Sequence, residues 1–332
     1  MKETANLLYI GIYTKMSVTD VIECRKVGLE DYDEVIDIRT DVFGGRDYLP
    51  ALYKTMMANH TGYVVTVNQI MVAFECLSFI DDGETAIIRS LRLRKGYEGR
   101  GLTYRLRDVI NDVIVRNPRA KRYVYTMDSK TIAEKNLAVG NLKLVVHRKF
   151  LFYQGKVSAV IPNLRMVDST TCRILNRDDL KKLLSSKVDT DRLFPNGRII
   201  VDWVPYRLLA SNVDHFFNDF CHILGSGDGN SGRIECVSVA IGCIAPSGIR
   251  YDLEIYGNFT EESFLAHVRE HLRKCSTFDS ETINFFVHYE PGILDADVIT
   301  KSMQHFGMNW SDLVQTDTMY GIEGSSAPMS KY

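Results

Sequence analysis

Apolar positions change their period along the chain, and the changes mark out its elements. Over 86–93 apolar residues dominate, as in a buried strand. Leu102, Leu106, Val109, Ile110, Val113 and Ile114 then recur at three- and four-residue spacing, which predicts a helix with one buried face. Gly96, Gly99 and Gly101 separate the two, and Asn117-Pro118 stops the helix. Upstream, the pattern predicts a strand over 21–26, a helix over 29–43 ended by Gly44-Gly45, a short helix over 49–57, and strands over 63–67, 71–80 and 84–93. Asp82-Gly83 between the last two is a hairpin signal. A strand over 122–127, a short helix over 130–136 and a strand over 142–152 complete the first half, and the first 19 residues read as loose.

A polar stretch over 168–191, with one small helix at 178–184, separates the halves and places domains at 20–156 and 170–325. The second half predicts a strand over 199–204, a helix over 211–224, strands over 234–244 and 251–256, a helix over 261–273, a strand over 283–289, a helix over 296–306 and a strand over 316–322. The glycine-rich run 225–232 reads as a linker.

Composition changes this picture little. With 332 residues, 45% hydrophobic, 25% charged and a net charge of −2, the chain is expected to be soluble, with no overall call for a polyanion partner. Locally the balance differs, because residues 89–122 hold eleven Lys/Arg against three Asp/Glu. That excess suits a phosphate-bearing ligand. Nucleic acid would bring a basic domain or interleaved exposed aromatics, so no nucleic-acid partner is expected. Seven scattered cysteines without a C-x-x-C pair read as reduced thiols of a cytoplasmic protein, a monomer or homodimer. The apolar run over 7–13 is too short to span a membrane.

A strand that passes through glycines into a helix N-terminus is an anion site, since free N–H groups converge there and the helix dipole favours negative charge. Three phosphate loops compete for this turn. A dinucleotide fingerprint fails because Gly99-Arg100-Gly101-Leu102-Thr103-Tyr104 ends in tyrosine, and a Walker A loop fails because Leu102 stands where its lysine belongs. The third is Gln/Arg-x-x-Gly-x-Gly/Ala. Glu98-Gly99-Arg100-Gly101-Leu102-Thr103 matches its Gly-Arg-Gly core and departs at Glu98 and Thr103. Together with FGGRDYLP (43–50) and DDGET (81–85), this turn resembles the histidine N-acetyltransferase group of the GCN5-related N-acetyltransferase superfamily.

The resemblance implies an α/β fold, a mixed central sheet flanked by helices, followed by a second, degenerate acetyltransferase-like half. The order β-α-α-β-β-β-α-β-α-β, read from periodicity and turns, agrees with it. It implies acetyl-CoA as co-substrate, with the backbone around Leu91, Arg92 and Leu93 binding the pantetheine arm and Gly99, Arg100, Gly101, Leu102 and Thr103 cradling the pyrophosphate. The corresponding turn of the second half, Tyr256-Gly257-Asn258-Phe259-Thr260, has one glycine and no basic residue, so coenzyme A is not expected there.

Transfer to an amine needs a base, a polarised carbonyl and a proton for the thiolate. Glu75, on a strand face between Ala73 and Leu77, is either a desolvated base or a salt-bridged structural glutamate. A two-residue hairpin loop sets it across from Ser90 and a three-residue loop across from Arg89. Glu84 is the second candidate, with a turn or substrate-binding role as the alternative. The superfamily commonly takes its acid from a tyrosine after the fifth strand. Residues 130–143 contain none, which leaves Tyr125, another donor or water. For the small-molecule amine acceptor, Arg46 or Arg89 could clamp a carboxylate, and Asp47 or Tyr48 could meet an imidazole. His267-Val268-Arg269-Glu270-His271 has the spacing of an inverted zinc motif, but a charged helix surface is the expected reading and no metal is expected.

Overall fold

The computed structural model describes residues 20–138, 141–165, 172–227, 233–314 and 316–326, and the chain divides into two units. The first holds the described residues up to Val42, then Leu49–Val145, and those from Gly321 onward; the second holds Phe43–Tyr48 and Val146–Tyr320. This departs from a division at 168–191 in three places: the boundary falls between Val145 and Val146, Phe43–Tyr48 joins the second unit, and the residues from Gly321 onward return to the first. The backbone of Gly45 and Arg46 is hydrogen-bonded to Ser247 and Arg250, and Ser326 returns to Ala120 and Lys121. The expected loose segment 1–19, its apolar run, and residues 168–171 and 228–232 lie outside the described residues.

In the first unit β1 (Ile22–Val27), α1 (Tyr32–Asp37), α2 (Leu49–Asn59), β2 (Thr61–Val67), β3 (Ile70–Ile80), β4 (Thr85–Leu93), α3 (Leu102–Arg116), β5 (Arg122–Met127) and α4 (Lys130–Ala138) follow one another. Strands β1 to β4 are antiparallel neighbours and β5 joins β4 in parallel. Both faces of the sheet are covered. Phe74 of β3 meets Tyr53 of α2, with ring centroids 6.3 Å apart, while the next residue, Glu75, meets Arg107 of α3. Successive strand residues point to opposite faces, so α2 and α3 lie on opposite sides. Leu102, Leu106, Ile110 and Ile114 form the buried stripe of α3, each contributing roughly 1.5–3 kcal/mol of burial.

Helix α1 is shorter than the predicted 29–43. It ends at Asp37, and Phe43, Gly44 and Gly45 all have positive φ. The polar side chains that follow explain the stop: Arg39 Nε donates to Asp41 Oδ1 (2.7 Å) and Lys95 Nζ lies 2.8 Å from Asp41 Oδ2.

In the second unit the main sheet runs β6 (Leu142–Lys156, from Val146), β13, β12, β11, β10, β7, once the remaining elements are placed: α5 (Val157–Asn163), β7 (Cys172–Ile174), α6 (Arg177–Ser185), α7 (Lys187–Leu193), β8 (Arg198–Val201), β9 (Val204–Arg207), α8 (Val213–Phe216), β10 (Cys221–Gly227), β11 (Ile234–Ala245), β12 (Gly248–Gly257), α9 (Glu261–Cys275), β13 (Thr282–Tyr289), α10 (Ala296–His305), β14 (Asn309–Trp310) and the start of β15 (Thr318–Ser325), whose residues from Gly321 belong to the first unit. Strands β8 and β9 form a separate hairpin. Only β12 and β13 are parallel within the main sheet. Helices α5, α9 and α10 pack over a core that includes Leu253, Phe264, Val268, Leu272, Phe285 and Met303.

The predicted helix over 211–224 gives way to a short helix and a strand. After a 3-10 turn at Ala210–Asn212 only Val213–Phe216 is α-helical, Asn218 turns the chain by bonding the Phe220 and Cys221 N–H groups, and Cys221–Gly227 pairs with β11. Gly225–Gly227 of the expected linker are thus strand residues. Ladder bonds to a neighbour that comes later in the chain outweigh the local helical spacing.

Candidate active site

The glycine turn leads from β4 into α3 as expected. Gly99 (φ 72°) and Gly101 (φ 73°) are left-handed, and a Cβ on Gly101 or Gly96 would meet nothing within 4 Å. Helix α3 has no side-chain cap, so the N–H groups of Leu102 and Thr103 have no partner within the helix. Leu102 itself is buried and Thr103 half-buried. Arg100 stacks on Tyr97, its guanidinium carbon 4.7 Å from the ring centroid, and its Nε is buried without an acceptor. Glu98, the departure from the family pattern, closes the turn: its Oε2 accepts the Gly96 N–H at 2.6 Å, and Oε1 lies 3.7 Å from Arg39 Nη1. An open cradle, an uncapped helix and an arginine without a carboxylate partner among the described residues fit a pyrophosphate.

Strand β4 carries a bulge. Cys76 pairs with Arg89 and Phe74 with Arg92, so Ser90 and Leu91 together oppose the single residue Glu75. Ser90 is left-handed (φ 66°), an uncommon state for a residue with a side chain. The register of the two-residue reading, with Glu75 across from Ser90, holds as far as Cys76–Arg89 although the loop itself is four residues (81–84), and the bulge then adds Leu91 beside Ser90. Pairing of β4 with β5 covers Thr85–Ile87 against Arg122–Val124, and β4 then runs on to Leu93 apart from it. Backbone around exposed Leu91 and around Leu93 borders this opening, while Arg92 is buried with Nη1 donating to the Leu91 carbonyl at 3.3 Å.

Tyr125 is the first β5 residue beyond the paired stretch. Its hydroxyl is buried without a partner, and burial pushes its pKa far above the usual phenol value. Its ring stacks on Tyr123 (6.4 Å) and lies 5.6 Å from the Arg107 guanidinium. Arg107 also pairs with Glu75 Oε1, and Glu75 is wholly buried with Oε2 unpartnered. Burial raises the Glu75 pKa, against the opposing charge and hydrogen bond of Arg107. The structure thus brings Glu75 and Tyr125 to one arginine that periodicity did not single out. A charged residue inside an apolar strand needs a counter-charge, and that was the available signal.

Glu84 is placed elsewhere. Its carboxylate pairs with Lys121 and with Arg122 Nη1 (3.3 Å), and the Lys121 hydrogen bond holds its pKa low. Its carbonyl receives the Lys121 and Arg122 N–H groups, so it ties the hairpin end to β5. Arg89 stands half-buried on β4 opposite Cys76. Arg46, Asp47 and Tyr48 are buried and belong to the second unit.

The second unit's counterpart of the turn has other chemistry. Thr260 caps α9 by accepting the Ser263 N–H, and Glu261 and Glu262 occupy the first turn. Glu235 and Glu262 line a neighbouring cavity of about 280 Å³. Both features disfavour an anion.

His267 and His271 are core residues and not, as expected, part of a charged surface. Ser226 Oγ, His267, Ser238 Oγ, His271 and the Tyr251 hydroxyl form one chain of hydrogen bonds of 2.6–2.9 Å. Glu270 points elsewhere, to Arg269 and Arg273. Among the described residues no group of three or more metal-ligating side chains forms. Burial lowers His222 to about 4 and His267 to about 3 from an ordinary 6.5, and holds His271 well below that value too. These rings are neutral in the fold and take up protons when it unfolds. Their stabilising contribution is therefore present above about pH 6.5 and is lost as pH falls through the folded values. The thermal midpoint is expected to drop steadily from pH 6.5 toward pH 4, and a flat midpoint over that window would contradict the buried assignment.

Residues 168–288 match the family described as histidine N-acetyltransferase, C-terminal. A histidine N-acetyltransferase of Oreochromis niloticus is 26% identical over 205 residues, 55% of this chain and 59% of that protein. The human protein named probable N-acetyltransferase 16 is 28% identical over 199 residues, 55% of this chain and 53% of that protein. The chain thus spans somewhat over half the length of these relatives. A tandem GNAT protein from the clavulanic acid biosynthesis pathway superposes with a TM-score of 0.54 at 11% identity, covering 93% of this chain and all of that one. Among the described residues no helix is long and apolar enough to cross a membrane. The chain therefore has the fold of the GCN5-related N-acetyltransferases, in a two-half form, and resembles the histidine N-acetyltransferases in sequence.

Proposed function

We propose that this protein transfers an acetyl group from acetyl-CoA to the α-amino group of a free amino acid, with L-histidine the first acceptor to test. The observation that carries the reading is the left-handed Gly99 and Gly101 turn, which leaves room at the uncapped start of α3 beside a strand that has parted from its neighbour. The sequence relatives named for histidine support the acceptor.

In this reading the N–H groups of Leu102 and Thr103, with Arg100, hold the pyrophosphate of the co-substrate. Backbone around Leu91 and Leu93 holds its pantetheine arm, and the acetyl thioester is the group transferred. Tyr125 keeps its proton at neutral pH because burial disfavours the phenolate. A thiol has a pKa of roughly 8.5, so full transfer from Tyr125 is uphill, and its role is to hydrogen-bond the departing sulfur. Arg107 steadies that ring, and Glu75 steadies Arg107. If Glu75 instead takes the amine proton, through a water path, the Glu75→Gln variant loses the acidic limb of the pH–rate profile. If it only positions Arg107, the limb persists.

The purified protein incubated with acetyl-CoA and an amino-acid panel is expected to release thiol and form N-acetylhistidine. Turnover with peptides alone would replace the acceptor class. The burial of Glu75 favours one other reading, a non-catalytic acyl-CoA binder, which would show as tight binding of acetyl-CoA without thiol release.

A further inference from the structure

The segment Phe43–Tyr48 leaves a positive charge unaccounted for in the second unit. Phe43, Gly44 and Gly45 are all left-handed (φ 50°, 62° and 84°), and the turn they make delivers Arg46. Its position is set by backbone: the Gly45 carbonyl accepts the Ser247 N–H and the Arg46 carbonyl accepts Arg250 Nη1, both at 2.9 Å. The Arg46 residue is only 8% exposed and lies over Phe152, 5.0 Å from the ring centroid. Its Nε is buried with no acceptor, and no carboxylate pairs with it among the described residues.

The charge facing Arg46 is another guanidinium. Arg250 is itself fully answered: Asp252 accepts from its Nε at 2.6 Å and its Nη2 at 3.1 Å, and the rings of Phe43, Tyr48 and Phe286 lie within 5.5 Å. Asp252 is held in turn by Trp203 Nε1 at 3.1 Å and faces His288 Nε2 at 3.3 Å. Asp252 is therefore committed to Arg250, and Arg46 has a ring beside it but no carboxylate among the described residues. Burial and the Arg250 charge both lower the Arg46 pKa, the sign of a cation without its counter-ion. Such a group is costly to keep unless a ligand supplies the missing charge.

We propose that Arg46 binds the carboxylate of a small amino acid, with Arg250 as its positioning residue, held by Asp252. The guanidinium fork matches a carboxylate in two parallel hydrogen bonds, and the surrounding aromatic rings suit a planar side chain. The inference rests on the amino-acid acceptor proposed above and adds which residues recognise it.

Titration calorimetry of the full chain without acetyl-CoA tests it, with L-histidine, histamine and acetate as probes. Histamine keeps the imidazole and the amine but lacks the carboxylate. L-histidine is expected to bind at least tenfold more tightly than histamine, with acetate competing weakly. Arg46→Gln is expected to lose that tenfold while its acetyl-CoA affinity changes less than twofold. Arg250→Met should raise the KM for L-histidine at least tenfold, shift the KM for acetyl-CoA less than twofold, and be partly rescued by Arg250→Lys. Equal binding of histidine and histamine by the unaltered protein overturns the proposal without any variant. Acetate binding as tightly as histidine would mean a general anion site and overturns it as well. Loss of acetyl-CoA binding alone, with carboxylate-dependent histidine binding intact, would remove the acetyl-transfer reading and leave this one standing.

Discussion

Replacing Gly101 by valine is expected to lower acetyl-CoA affinity at least 100-fold, about 2.7 kcal/mol, while the protein stays folded. Gly101 stands at φ 73° at the start of α3, and a side chain there would meet no protein atom within 4 Å. The stability cost is therefore backbone strain alone, on the order of 1–3 kcal/mol for a β-branched residue in this region. The added methyl groups occupy the space assigned to the pyrophosphate, and the strain turns the Leu102 N–H away from it. Gly197 supplies the control. It has a similar φ of 64° and equally open surroundings, in the turn before β8. Gly197→Val should lower the thermal midpoint by a similar amount and leave acetyl-CoA binding unchanged. Calorimetric titration of both variants decides the matter, and wild-type affinity in Gly101→Val would remove the basis for the cofactor turn.

Arg107→Met should be among the most destabilising substitutions in the first unit, by about 3–5 kcal/mol at neutral pH. It leaves the carboxylate of Glu75 wholly buried with no counter-charge, whereas Arg107 itself keeps 21% of its side chain in solvent. The pH dependence has a definite sign. The folded pKa of Glu75 is already raised above 4.5 by burial, and loss of Arg107 raises it further. A carboxyl whose folded pKa is raised favours folding below its unfolded value and loses that advantage as pH rises through the folded value. The gap in thermal midpoint between wild type and Arg107→Met should accordingly widen from pH 5 to pH 8. The double variant Glu75→Leu with Arg107→Met should recover most of the loss, because packed apolar side chains replace a buried ion pair at little cost. A gap that narrows with pH would show that Glu75 is not the uncompensated group.

Strong local periodicity made much of the architecture legible. Helix α3 is legible to the residue, because its apolar spacing is regular and Asn117-Pro118 ends it. Strands β2 to β5 and β11 to β13 were placed within two or three residues, since their apolar runs end at turn residues. The strand between Cys221 and Gly227 was missed because Phe216, Phe217, Phe220, Ile223 and Leu224 also satisfy a helical spacing, and only the β11 ladder selects the extended form. The candidate site divides in the same way. The glycine turn is a local signal of few residues. The Ser90 bulge, the Glu75–Arg107 pair and the neutral histidine chain are properties of packing between distant segments.

The amino-acid order by itself determined helix α3, most of the strands and the glycine turn at Gly99–Gly101. These depend on backbone preferences and side-chain spacing within a few residues. Tertiary structure alone decided that Arg107 answers Glu75 beneath Tyr125, that His267 and His271 are buried and neutral, and that Phe43–Tyr48 groups with Arg250 and Asp252. Burial and the choice of counter-charge are set by whatever segment the fold lays against a residue, and no spacing within one element encodes that partner.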